Sequence, residues 1–102
     1  MTNIIGKWAQ IEGQPYPGLW FHFKEDGTFS ALFDAMGIVS SGTYKVEGEQ
    51  IDIDQTIHTL GVVGLFLGVF TIEGETLKLS LSQPEQPRET DLEKARIYKK
   101  IG

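Results

Sequence analysis

Along most of this chain apolar residues return at every second position, with polar residues between them. That period puts successive side chains on opposite faces of an extended strand, whereas a helix would repeat at three and four. The pattern predicts eight strands, over Ile5–Ile11, Leu19–Lys24, Thr28–Phe33, Gly42–Val46, Gln50–Asp54, Gly68–Ile72, Thr76–Ser82 and Ala95–Ile101. Turn chemistry separates them. Glu25-Asp26-Gly27, Glu47-Gly48-Glu49 and Glu73-Gly74-Glu75 are hairpin signals, because glycine supplies the positive φ of a tight turn. Pro15, Pro17 and Gly18 end the first strand, Met36-Gly37 follows the third, and Pro84 and Pro87 mark a long loop over 83–93.

Short connections and the absence of helical stretches favour antiparallel neighbours in chain order. Closing such a meander removes both exposed edges, and about eight strands make the smallest closed barrels of this kind. The expected fold is therefore all-β, one domain over 1–102, an eight-stranded antiparallel up-and-down barrel. A two-sheet β-sandwich is the competing architecture, since strand number alone does not separate closure from stacking.

Alternation assigns the faces. Trp8, Phe21, Phe23, Phe29, Ala31, Phe33, Tyr44, Val46, Ile51, Ile53, Phe70, Ile72, Leu77, Leu79 and Leu81 fall on the apolar faces, with Thr43, Lys45, Asp52, Asp54, Thr71, Lys78 and Ser80 opposite. The second strand carries rings on both faces. With Phe21 and Phe23 inward, Trp20 and His22 point out, and Trp20 near Leu32 forms a patch that a homodimer would cover. With the opposite register, His22 enters the barrel beside Trp20 as a polar anchor for a ligand.

The opening Gly6-Lys7-Trp8 resembles the Gly-x-Trp signature of lipocalins and other calycins. The order Ser41-Gly42-Thr43-Tyr44-Lys45-Val46-Glu47-Gly48, Ile51-Asp52-Ile53-Asp54, the segment 68–79, Arg88-Glu89-Thr90 and Ile97-Tyr98-Lys99-Lys100 is similar to that of small bacterial lipocalin-like domains. The resemblance implies a barrel whose bottom is closed by the tryptophan, with room for a small apolar ligand and no catalytic residues. It also implies a final-strand cation over that tryptophan, either Arg96 or Lys100. The chain departs from the pattern where Arg88-Glu89 replaces a common Arg-Pro pair and where no secretion signal opens it.

Composition narrows the function classes. Nine Lys+Arg against 14 Asp+Glu give a net charge of −5, the wrong sign for neutralising phosphates, so nucleic acid is not an expected partner. With no cysteine there is no disulfide, thiol nucleophile or thiolate metal site. The opening Met1-Thr2-Asn3 lacks a basic segment followed by an apolar run, which predicts a cytoplasmic protein.

Candidate chemistry is sparse. His22 and His58 have no metal-ligand spacing. Glu47, Glu49, Asp52 and Asp54 read as a solvated edge, since Asp52 and Asp54 lie on a strand and not in a calcium-binding loop. No nucleophile elbow or phosphate loop is present. No catalytic residue, metal or cofactor is therefore expected. The stretch 55–72 holds no Asp, Glu, Lys or Arg, and Gly64-Leu65-Phe66-Leu67-Gly68 matches a helix-pairing pattern. Its ends already belong to strands, so it is read as an apolar, glycine-rich connection over Ile57–Leu67, with Leu60, Val63, Leu65 and Phe66 as a lid, and not as a membrane span.

Most of the aromatic residues fall inside a short barrel, which predicts a narrow cavity or none. The leading expectation is binding of a small apolar ligand among Trp8, Phe21, Phe23, Phe33, Tyr44 and Phe70, without catalysis. The second is a packed barrel that associates through Trp20, Leu32 and the apolar connection. A third, a small cyclase or isomerase, would use His22 or a buried glutamate as acid or base.

Overall fold

A computed structural model describes residues 3–102; Met1 and Thr2, part of the opening read for a leader, lie outside the described residues. Eight strands follow in order: β1 (Gly6–Gln10), β2 (Trp20–Phe23), β3 (Thr28–Phe33), β4 (Ile38–Glu47), β5 (Gln50–His58), β6 (Gly64–Glu73), β7 (Thr76–Leu81) and β8 (Arg96–Lys100). Each pairs antiparallel with its chain neighbours, and β1 pairs with β8 through Trp8↔Lys100, Ala9↔Lys99 and Gln10↔Tyr98, so the sheet is a closed up-and-down barrel. Closure decides against the sandwich.

The tight turns behave as their residues dictate. Gly27 adopts φ 86°, and the Asp26 carboxylate accepts from the backbone N–H and hydroxyl of Thr28 at 3.0 and 2.6 Å. Those two bonds hold the Asp26 carboxyl below its ordinary pKa. With the turns at Gly48 and Gly74 they form one end of the barrel, and the connections after β1, β3, β5 and β7 form the other.

The closed end is packed solid. Trp8, Phe23, Phe29, Ile51, Phe70 and Leu77 are completely or almost completely buried. Phe23 meets Tyr44 edge-on with centroids 5.0 Å apart, and the Tyr44 hydroxyl donates to the Lys24 carbonyl at 2.7 Å. Trp8 Nε1 donates to the Ile4 carbonyl at 2.8 Å, so its one polar atom is satisfied inside the core. Two inward glycines let the wall curl this tightly. A Cβ on Gly42 would stand 1.9 Å from the Asp54 carbonyl oxygen, and one on Gly68 would stand 1.9 Å from that of Ser80.

The structure corrects the sequence reading around the fourth to sixth strands. The expected connection over Ile57–Leu67 is mostly strand: β5 runs to His58, β6 begins at Gly64, and only residues 59–63 join them. Leu65 is thus an exposed outer residue of β6 and Phe66 an inner one, while Leu60 and Val63 sit in the short turn. No helix among the described residues is long and apolar enough to cross a membrane.

The β4–β5 pairing breaks at one point, where Gly42 faces Gln55 but Ser41 faces Ile57, leaving Thr56 as the extra residue of a bulge. A one-residue slip exchanges the faces of everything beyond it. Ile57, inward by simple alternation from Ile51 and Ile53, is instead 61% exposed, and His58 turns toward the barrel mouth. Two further assignments differ. Ser80, expected on the wet face, is buried, and Val46, expected inside, is exposed at Val46↔Ile51, the second-to-last pair before its turn.

Candidate functional site

The interior narrows to solid packing at the tryptophan end and opens at the other. There a cavity of about 550 Å³ is floored by Phe21, Ile53, Phe66, Leu79 and Leu81 and ringed by Gln10, Gln55, His58, Arg96 and Tyr98. Each strand's alternation delivers these groups. Gln10 lies two residues beyond Trp8, Gln55 two beyond Ile53, and Arg96 two before Tyr98, so all share the inner face. The ladder between β7 and β8 stops at Leu79↔Arg96, whereas β7 runs on to Leu81. Ser82, Gln83, Glu89 and Lys94 of the connection complete the wall.

The polar atoms of this ring are held in defined orientations. Gln10 accepts from the Tyr16 backbone N–H through Oε1 at 3.1 Å, which turns its Nε2 to donate to the Tyr98 hydroxyl at 3.0 Å. The phenol therefore receives a hydrogen bond, and its own O–H has no acceptor among the described residues. Burial drives the Tyr98 pKa up to about 12, opposed by the Gln10 bond and the nearby Arg96 charge, so the group is a neutral donor. Gln55 ties the β5–β6 turn to the wall by donating to the Val62 carbonyl. His58 Nδ1 accepts from the Leu60 N–H at 3.0 Å, which leaves its proton on Nε2.

Charge at the rim is unbalanced. One ion pair occurs among the described residues, Arg88 with Asp52 on the outer wall, so neither Arg96 nor Lys94 is neutralised by a carboxylate. Glu89 spends its Oε1 on the N–H groups of Thr90 and Asp91, at 3.1 and 3.0 Å, within its own loop.

Of the six rings expected to surround a ligand, only Phe21 touches this cavity. Trp8, Phe23 and Phe70 belong to the packed base, Tyr44 seals it, and Phe33 meets Tyr16 edge-on near the mouth with centroids 5.7 Å apart. The rings fill the interior because the Gly42 and Gly68 approaches draw the wall in around them. His22 lies on the outer face opposite Lys7 and Ser30, away from the cavity. Trp20 does pair with Leu32, but both are half-buried, and the Lys7 ammonium covers the indole at 4.3 Å from its centroid. Of the four lid candidates, Phe66 alone reaches the cavity, from β6.

Sequence reasoning missed Gln10, Gln55 and Tyr98, and offered Arg96 only as a cation over Trp8. Polar side chains at inward positions beyond apolar ones were the available signal, and a face list built from apolar residues passes over them. Comparison with known proteins yields no match: no family model, no curated protein and no solved structure corresponds to this chain.

Proposed function

We propose that this is a lipocalin-like binding protein that takes a small, mostly apolar molecule into the mouth of its barrel without transforming it. The observation that carries the reading is the cavity of about 550 Å³ above a solid base, with an apolar floor and a few oriented polar groups. Small-molecule sites typically enclose about 300–1,000 Å³ with that division of labour. The lipocalin likeness draws support from Trp8, which closes the bottom of the barrel with Lys100 over its ring, and from the strand order.

Titration with Nile red, a neutral dye whose emission rises and shifts to the blue in apolar surroundings, tests the reading. Saturable enhancement by folded protein, reduced when Phe66 or Leu81 is replaced by Asp, is expected. No enhancement up to millimolar protein would refute it.

A second reading rests on the outer wall. Val39, Ile57, Leu60, Val62, Val63 and Leu65 are all exposed on β4, β5, β6 and their connection. Apolar surface gathered this way commonly marks a contact, here between two copies of the chain. Sedimentation that stays monomeric up to high micromolar concentration removes it.

A further inference from the structure

Two hydrogen-bond donors of the cavity ring that the protein itself leaves unused, Arg96 and Tyr98, sit on one strand. Tyr98 is 3% exposed, accepts from Gln10, and offers its O–H to no acceptor among the described residues. A buried hydroxyl in that condition calls for an acceptor from outside. Arg96 stands opposite inward Leu79, on the same face of β8, roughly 7 Å along the strand from Tyr98. No carboxylate pairs with it, in a chain whose net charge is −5.

We propose that Arg96 and Tyr98 bind the carboxylate of an amphipathic ligand whose hydrocarbon part rests on Phe21, Ile53 and Phe66. This deepens the binding reading above and rests on it. A guanidinium offers paired N–H donors that match the two oxygens of a carboxylate, and charge-assisted bonds of that kind are stronger than neutral ones. The phenol O–H supplies a third bond without adding charge. Gln10 helps by holding the ring oxygen from the opposite side, so that the hydroxyl proton is directed away from it. Of the two other charges at the rim, Lys94 adds attraction, and Glu89 is engaged with its own loop backbone. A singly charged head suits this balance better than a dianion.

Competition against Nile red tests the proposal. Decanoate and decanol share a chain and differ at the head. Decanoate is expected to displace the dye at roughly tenfold lower concentration than decanol. Arg96→Gln should bring the two within about threefold, and Tyr98→Phe should narrow the gap by a smaller factor. Equal displacement by acid and alcohol in the unaltered protein, or a gap that survives Arg96→Gln, overturns the proposal while leaving the cavity reading in place. Absence of dye binding removes both. A measurement independent of variants is the ¹³C signal of carboxyl-labelled decanoate with the unaltered protein. Beside Arg96 the bound head stays ionised to lower pH than the free acid, and a bound head that titrates at or above the free one counts against the assignment.

Discussion

Lys100 lies over the ring of Trp8, its ammonium 5.7 Å from the indole centroid, where β8 closes onto β1 through the pair Trp8↔Lys100. Both candidate cations are on the inner face of the last strand, but Arg96 is four residues nearer the mouth, so Lys100 alone reaches the tryptophan. The two partners contribute unequally. Trp8→Ala removes a fully buried ring and is expected to cost about 3–5 kcal/mol, whereas Lys100→Met loses a cation–π contact of about 0.5–1 kcal/mol. Urea unfolding of the two variants checks the order. A lysine substitution as costly as the tryptophan one would mean that the base of the barrel is held by charge and not by packing.

Gly42 and Gly68 test the curl of the wall. A methyl group at either collides with a neighbouring backbone carbonyl and not with a flexible side-chain end, so relief requires the strands to separate. Gly42→Ala and Gly68→Ala should each destabilise by roughly 2–4 kcal/mol, at the high end for a single methyl. Gly13→Ala, in open space but at φ 88°, should cost about 1 kcal/mol from backbone strain alone. Thermal unfolding of the three variants separates collision from strain.

Arg88 joins β5 and β6 from outside, donating to the carbonyls of Ile51 and Gly68 at 3.1 and 2.8 Å and to Asp52. Half-exposed ion pairs contribute about 0–1 kcal/mol, while hydrogen bonds from a charged donor contribute about 1.5–3. Arg88→Ala should therefore cost more than Asp52→Asn, and the difference should persist in 1 M salt, where the pair is screened. Equal losses for the two variants would place the whole contribution in the ion pair.

Stability should fall on the alkaline side. Tyr98 has an ordinary pKa of 10.0, raised to about 12 in the folded protein by burial. Folding favours its protonated form, so the stabilisation is complete below pH 10 and is lost as pH rises from there through about 12. The total is up to roughly 2–3 kcal/mol, and burial of Tyr44 acts in the same direction. Urea midpoints measured from pH 9 upward should decline for the unaltered protein and decline less for Tyr98→Phe.

Hairpin glycines and the number of strands were legible because each is a local property of a few residues. The second strand, with rings on both faces, left open whether Phe21 and Phe23 or Trp20 and His22 point inward, until its pairing with β1 and β3 decided it. Strand ends over 38–41, 55–58 and 64–67 were not legible, since serines, threonines and glycines there dilute the alternation, and the strands are sustained by pairing with β3, β4 and β5 respectively. The cavity was hidden for a related reason. Whether an inward ring packs or lines a space depends on how closely opposite walls approach, and that distance is set by Gly42, Gly68 and the barrel's closure together. Gln10 and Tyr98, 88 positions apart in the chain, become partners only when the last strand meets the first.

The bulge at Thr56 makes two isoleucines of one apparent pattern behave in opposite ways. Ile53 and Ile57 are four residues apart, which in an unbroken strand would place both in the core. Ile53 is buried against Phe66 and Tyr44 at paired positions of its neighbours, whereas Ile57 faces outward beyond the bulge. Ile53→Ala is expected to cost about 2–5 kcal/mol, and Ile57→Thr less than about 0.5. Denaturant midpoints of the pair measure the contrast directly. Comparable losses would mean that β5 pairs without the slip, which would also withdraw His58 from the mouth and return it to the outer wall.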